Sequence, residues 1–395
     1  MKNKKIKDLP QLLREFAIVD ENKNVRSIIA TKESVEIALL SQFEIKFDSF
    51  KQQIYIDGKI YDPSLDYDDL ADSLCRLGFK ITNQLLQLIR RRVLNLAKQN
   101  CFDSGIELLN KIPKWDKIDR WQELANFLHI DNPLWGKFLF ISIVYRLMHP
   151  EGVQHQFMHI LHGDQGCGKS SFFELISLNQ DMFSRDVDFY DSTDCIARAI
   201  KGISVVEIPE LLGKRSKSDD FIKTMLSKSS YQYKPLYIES LEKVILRNVF
   251  CGTTNEQNFL TDQTGNRRFI VEFVKGQIEL FSIQCIKEKL YAQAIAEVNE
   301  YKKLVKEVIA YNEKNNQIYE VRSVYYEILM KFKPEDLHLK TSTEILVDCL
   351  GVQAKDVTKY QLNEIGKAMR NLNFFLHVKR VNKTTAKCWC SPELF

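Results

Sequence analysis

Between residues 157 and 255 the chain repeats one pattern, a short apolar run closed by glycine or polar residues and then a longer helical stretch, which predicts strands joined by helices. The run Phe157-Met158-His159-Ile160-Leu161 leads almost at once into a glycine-rich loop and a helical stretch over 169–178. A second strand is expected over 203–206, ending in Glu207, and a third over 249–252, ending in Thr253, Thr254 and Asn255. Polar groups at the carboxyl ends of such strands are where α/β folds place ligands. Upstream, residues 9–98 mix helical patterning, as at Leu85, Leu86, Leu88 and Ile89, with a strand-like Gln53-Ile54-Tyr55-Ile56 closed by Asp57-Gly58. An α-rich N-terminal region is expected over 1–108. Ile112-Pro113-Lys114-Trp115-Asp116 interrupts the pattern before a helix with Trp121, Leu124, Phe127 and Leu128 on one stripe, predicting a helical collar over 109–152 ahead of a core over 153–300. A charged helical linker is expected over 301–340. The last unit, 341–395, reads as helices over 342–350 and 358–372 followed by β-like runs over 374–381 and 386–390. Helix followed by hairpin is a winged-helix-like pattern.

At 395 residues the chain exceeds what one hydrophobic core serves, so several domains are expected. With 45% hydrophobic and 27% charged residues it is globular in composition, which excludes a largely disordered chain. The longest central apolar run, 138–145, is closed by Arg146 and falls short of the ~20 residues a membrane span needs. The basic start Met1-Lys2-Asn3-Lys4-Lys5 meets Asp8 and Pro10 where a signal peptide would place apolar residues, so a cytoplasmic location is expected. Nine scattered cysteines, an odd number without metal-ligand spacing, fit reduced thiols. The net charge of +4 is unevenly placed: residues 354–395 hold 8 Lys and Arg against 3 Asp and Glu. A polyanionic partner for that end follows.

The chemistry concentrates at Gly163-Asp164-Gln165-Gly166-Cys167-Gly168-Lys169-Ser170, a complete GxxxxGKS phosphate-binding loop with Ser171 after it. The glycines let backbone N–H groups turn inward, the following helix points its positive end at the anion, and Lys169 reaches the β and γ phosphates of ATP. Ser170 is expected to place its hydroxyl on Mg²⁺. Glu207 and Glu210 follow an apolar strand, and of these Glu207 is assigned the metal and Glu210 the attacking water. Asn255 can bond the γ-phosphate or that water. Arg267 and Arg268 offer guanidinium groups for the charge of phosphoryl transfer, one of them acting across a subunit boundary, while a structural ion pair remains the alternative for at least one. Lys223 is a candidate of the same kind, set against the solvated role of most surface helix lysines.

The series GDQGCGKSS, VVEIPEL, IKTMLS, YKPLY, GTTNEQNFLTD and GNRRF resembles, in order and spacing, the virulence-associated protein E family, ATPases of phages and pathogenicity islands related to superfamily 3 helicases and primase-helicases. The resemblance runs from about Leu109, through NKIPKWDKIDRW, to Phe273, with a weaker echo at 365–369. It implies an AAA+-like P-loop NTPase core, a homo-oligomeric ring, expected as a hexamer, that hydrolyses ATP between subunits, and movement on DNA during replication of a mobile element. Glu207 and Glu210 would be the acidic pair, Asn255 the sensor, and Arg267 or Arg268 the finger. Residues 229–244 sit where superfamily 3 enzymes carry a DNA-gripping hairpin. Lys234, within it, stands where the family is expected to have arginine, keeping the charge without the planar fork.

In the terminal unit Lys359, Lys367, Arg370, Lys379, Arg380, Lys383 and Lys387 can neutralise phosphates, giving salt-dependent, largely non-specific affinity for duplex DNA. Single-stranded DNA is expected inside the ring. The region before the core is short for a polymerising domain and shows no acidic cluster, so any primase is expected as a separate partner. An ATP-dependent DNA helicase or replication-initiator ATPase is the expected function. The competing expectation is a nucleotide-dependent assembly or defence switch that binds ATP without unwinding DNA.

Overall fold

The structure, a computed structural model, describes residues 5–62, 66–187, 193–209, 224–233, 242–260, 266–319, 323–381 and 384–394. Its centre is a five-stranded sheet in which Phe269–Val274, Met158–Gly163, Val249–Thr254, Val205–Ile208 and Phe183–Ser184 lie side by side in that order, all parallel. Helices flank the sheet, so the core is α/β. Met158–Gly163 and Val249–Thr254 are buried along their whole length, the condition under which parallel strands read as unbroken apolar runs. The Val205–Ile208 strand extends past its expected end. Glu207 therefore lies inside it, opposite Cys251, and Pro209, which has no N–H to offer a ladder, follows Ile208.

One sheet face packs Leu161, Val205, Val249, Cys251, Ile270 and Val274 against the helices Trp121–Leu128, Pro133–Leu147, Lys169–Ile176, Leu280–Glu297 and Tyr301–Asn315. Pro133–Leu147 is apolar around its circumference because it is enclosed by sheet and helices alike. Asn132 caps it through the Leu134 N–H at 3.0 Å, and Trp135 pins it to the sheet by donating to the Ile270 carbonyl at 3.0 Å. The other face buries Met158, Ile160, Val206, Phe250 and Val271 under Thr193–Ala199 and an antiparallel hairpin, Ser230–Tyr233 with Glu242–Ile245.

The N-terminal unit contains more strand than the sequence pattern indicates. Besides the helices Lys32–Leu40, Tyr67–Leu77 and Asn83–Gln99 it holds a four-stranded sheet, Lys59–Ile60, Gln53–Ile56, Ile45–Asp48 and Cys101–Phe102. Gln53–Ile56 is the strand read from the sequence, and the two-residue strands in the same sheet are too short to show alternation, so a small sheet lies beside the helices of this region. At the other end, the helix Lys359–Asn371 is capped reciprocally by Thr358 and Gln361 and packs Ile365 and Met369 on Trp389 of the hairpin Phe375–Val381 and Thr384–Cys390. Leu329 and Leu337, in the stretch expected as linker, belong to the same core. Among the described residues no helix is long and apolar enough to cross a membrane.

Two histidines sit in the helical face without a route to solvent. His159 is fully buried, its ring 5.6 Å from that of Trp135 and 5.5 Å from that of Phe138, and neither ring nitrogen has a partner. Burial pushes its imidazole from 6.5 down to about 3. His155, whose Nδ1 meets the Tyr301 hydroxyl at 2.8 Å, is held well below the ordinary range by burial, then by Arg146 and His159. Folded, both refuse a proton that the unfolded chain accepts below about 6.5, so stability is intact above that pH and falls as pH drops beneath it. The expected slope is up to ~1.4 kcal/mol per pH unit for each histidine. Urea unfolding at neutral and mildly acid pH should show a shallower pH dependence in His159→Phe than in the parent; an unchanged slope would mean His159 is protonated in the fold.

Candidate functional site

Three adjacent strands bring the candidate site to the carboxyl edge of the sheet. Met158–Gly163 runs into the glycine-rich loop, and the helix Lys169–Ile176 starts at Gly168, whose φ of 95° lies in the left-handed region. A Cβ on Gly163 would stand 2.8 Å from the Val274 carbonyl of the neighbouring strand. Both positions therefore call for glycine. The first N–H groups of a helix have no intrahelical partner and lie at its positive end, so this edge attracts anions. A cleft of about 270 Å³ opens there, lined by Gln165, Gly166, Gly168, Lys169, Ser170 and Ser171 on one side and by Pro209, Thr253, Thr254 and Asn255 on the other.

Lys169 is buried, and its ammonium donates to the carbonyls of Gly163 at 2.8 Å and Asp164 at 2.7 Å and to Asn255 Oδ1 at 3.0 Å. All three acceptors are neutral. His162, at the end of the loop strand, is held below the ordinary range by burial and then by the Lys169 charge, so it adds no second cation. Ser170 Oγ donates to Glu207 Oε1, and Thr253 Oγ1 donates to the same oxygen at 3.2 Å. Glu207 has no exposed surface, and its Oε2 has no partner among the described residues. Burial, and then the charge of Glu207, push the neighbouring Cys251 thiol well up.

An unmatched carboxylate oxygen beside a serine hydroxyl at the rim of a phosphate-sized cleft is a hard-oxygen set. Magnesium takes such ligands while sharing the rest of its sphere with water and phosphate. Ser170 and Glu207 fit the residues that would hold it, and Lys169 with the helix start fits the anionic part of a nucleotide.

Of the residues expected at the site, the loop from Gly163 to Ser171, Glu207 and Asn255 lie together at this edge. Asp164 and Gln165 are exposed at the loop tip, while Cys167 is buried and its carbonyl accepts from the Ile278 N–H at 3.0 Å. Glu210, Lys223, Lys234 and Lys383 lie outside the described residues. Thr253, read from the sequence only as one of the polar groups closing its strand, is the hydroxyl that reaches Glu207, beside Thr254 in an otherwise apolar, buried strand. Arg267 and Arg268 fall elsewhere, in the turn Asn266–Arg268 just before Phe269–Val274. In the parallel register Phe269 faces Met158 and Val274 faces Gly163, so the arginines sit at the amino edge, roughly 17 Å of strand from the loop. Within one chain they do not join the Lys169 cluster.

Of the basic residues in the C-terminal unit, Lys359 and Lys387 are exposed. Lys367 pairs with Glu364 at 2.7 Å, and the Arg370 guanidinium stacks 5.7 Å from the Trp389 ring. Lys379 and Arg380 face Ala386 and Thr385 across the hairpin, and their side chains lie outside what is described.

Comparison with known proteins places this geometry. The profile of the virulence-associated protein E-like domain matches residues 109–327, which span the collar, the sheet and the site. Among curated proteins none matches the sequence. The apo structure of the NrS-1 C-terminal region (305–718) is similar at 12% identity and a TM-score of 0.49, over 90% of this chain and 98% of that one. An A-form apo structure of the NrS-1 C-terminal region is similar at 14% identity and a TM-score of 0.47, over the same shares of the two chains.

A buried carboxylate with one oxygen unmatched destabilises the protein that carries it. Glu207→Gln keeps an acceptor for Ser170 and Thr253 and removes the charge, so it should stabilise the ligand-free protein by about 1–2 kcal/mol while abolishing Mg²⁺-dependent nucleotide binding. Urea unfolding and nucleotide titration with and without Mg²⁺ measure the two effects; a destabilised variant would place the charge in a compensated site.

Proposed function

The chain belongs to the virulence-associated protein E-like family, and from that premise we propose that it is a P-loop ATPase that works on DNA during replication of a mobile genetic element. The observation that carries this reading is the convergence of Lys169, Ser170, Glu207, Thr253 and Asn255 at a helix N-terminus on the carboxyl edge of a parallel sheet. Counted along the chain, the strands lie in the order 5-1-4-3-2, which supports an AAA+-like, superfamily 3 helicase-like core.

On this reading ATP lays its phosphates on the loop. Lys169 leaves the Gly163 and Asp164 carbonyls for the β and γ phosphates, a charge-assisted exchange that needs no repositioning of the backbone. Asn255, already bonded to Lys169, reports whether the γ-phosphate is there. Ser170 and Glu207 hold Mg²⁺, which supplies neutralisation of the phosphate charge. Glu210 is assigned the water. Phosphoryl transfer also needs cationic charge opposite the leaving group, and the two arginines assigned to it, Arg267 and Arg268, sit at the far edge of the same sheet. The finger therefore comes from a neighbouring subunit in a head-to-tail ring, expected as a hexamer.

DNA contacts are assigned to the hairpin Ser230–Tyr233 with Glu242–Ile245, whose connection carries Lys234, and to the winged-helix-like C-terminal unit. There Lys359, Arg370 and Lys387 supply the exposed charge, Arg370 lying over the Trp389 ring, whereas the half-buried Lys367 is paired with Glu364. A separate primase is the expected partner.

Three experiments test the proposal. ATP turnover should rise with added DNA and with protein concentration, and Lys169→Ala should abolish it. Mixing Arg267→Ala or Arg268→Ala subunits with Lys169→Ala subunits should restore activity, since a trans-acting arginine contributes roughly 10³–10⁵ in rate. Mixed oligomers without any turnover would exclude the shared site, and wild-type turnover in Lys169→Ala would exclude the loop as the ATP site. At the C-terminal unit, Lys387→Ala should weaken duplex binding uniformly across sequences and lower the slope of log affinity against log salt by about 1; an unchanged slope would remove that hairpin from the DNA face.

A further inference from the structure

The N-terminal unit meets the core at one buried polar contact that the ATPase chemistry does not use. Arg247 is 3% exposed, and its guanidinium forks onto Asp103, with Nη2 donating to Oδ1 at 3.1 Å and Nη1 to Oδ2. Asp103 also accepts from the Ser49 hydroxyl at 2.7 Å and from the Ile106 N–H at 2.9 Å. Burial would raise this carboxyl, yet Arg247 and Ser49 hold it below the usual range. Phe50 lies under the same guanidinium, 4.9 Å from ring centre to carbon, and inserts into the helical-face core.

What makes the contact more than an anchor is the place of Arg247 in the chain. It lies between the returning hairpin strand Glu242–Ile245 and the strand Val249–Thr254, which ends beside the nucleotide cleft. Leu246 closes the hairpin base by donating to the Ser229 carbonyl at 2.9 Å. A reciprocal clamp fixes that base to the collar: Arg146 donates to the Leu246 carbonyl, and Arg247 donates to the Leu147 carbonyl at the end of Pro133–Leu147. Val249–Thr254 needs none of this, because parallel strands hold it on both sides. Losing the ion pair should therefore free the hairpin base and leave the nucleotide cleft in place.

We propose that Arg247 and Asp103 are a positioning pair through which the N-terminal unit sets the base of the hairpin relative to the ATP site. In its functional part the proposal rests on the ATPase reading above. The pair transmits position through geometry alone and touches neither nucleotide nor DNA. Without it, ATP hydrolysis continues but no longer answers to a ligand on the hairpin.

Asp103→Asn in the full chain is the first test, because the asparagine oxygen keeps the N-cap on Ile106 and its amide N–H can donate to the Ser49 oxygen while the charge is removed. Arg247→Lys is the second, keeping the charge and losing the fork. Amide exchange at 228–233 and 242–248 should accelerate more than about tenfold in Asp103→Asn and less in Arg247→Lys, with 158–176 unchanged. Turnover without DNA should stay within about twofold, and its stimulation by a single-stranded oligonucleotide should be lost in Asp103→Asn. Acceleration spread equally over 158–176, or absent from the hairpin base, would overturn the proposal, as would full stimulation in a loosened hairpin. Exchange is read without ATP, so a parent protein that hydrolyses nothing would sink the ATPase reading while the exchange result still decides the role of the pair.

Discussion

The structure turns on one buried charge. Glu207 sits inside a parallel strand with no exposed surface, and only its Oε1 is bonded, by Ser170 and Thr253. Taking a carboxylate out of water costs several kcal/mol unless donors or a cation answer it, so its neighbours are constrained. The strand order answers that constraint. With Val249–Thr254 between Met158–Gly163 and Val205–Ile208, one strand supplies the loop and Ser170, the next supplies Thr253 and Asn255, and the third supplies Glu207.

The cation of the site is treated in the opposite way. Lys169 meets two carbonyls, the Asn255 amide oxygen and the Cys167 sulfur, and among the described residues bonds no carboxylate, so its charge stays available to an incoming anion. A lysine paired with Glu207 would have satisfied both charges and closed the cleft. The two are kept apart by partners of the right polarity and no charge: carbonyls and an amide for the ammonium, hydroxyls for the carboxylate. Stability is lower for it, and the site remains receptive.

Much of this was legible in sequence because the relevant signals are local. GxxxxGKS in strand-to-helix context is contiguous, and Glu207 and Asn255 stand near the ends of apolar runs that only buried parallel strands produce. The end of the Val205–Ile208 strand was less legible, since Glu207 reads as a terminator until Pro209 is weighed as the true stop. The N-terminal sheet escaped because strands as short as Lys59–Ile60 and Cys101–Phe102 carry no period. Arg146, Arg247 and His159 escaped for a different reason. A charged or titratable side chain in a sequence reads as surface, and only the tertiary packing of Pro133–Leu147 against the sheet buries them.

The positions of Arg267 and Arg268 carry the argument beyond the single chain. A parallel sheet has two chemically different edges, and this one keeps its glycine-rich loop at the carboxyl edge and its two adjacent arginines at the amino edge, with Phe269–Val274 spanning the distance between them. No side chain is long enough to cover a six-residue strand, so a subunit cannot bring its own arginines to its own loop. On the proposed reading the missing charge must come from a second copy that presents its amino edge to this carboxyl edge. Two-fold pairing would set like edges together, whereas a heterologous, head-to-tail contact sets an amino edge against a carboxyl edge and repeats until the rotation closes. The polarity of the sheet thus favours a ring over a symmetric dimer as the unit in which the Lys169 cleft becomes complete.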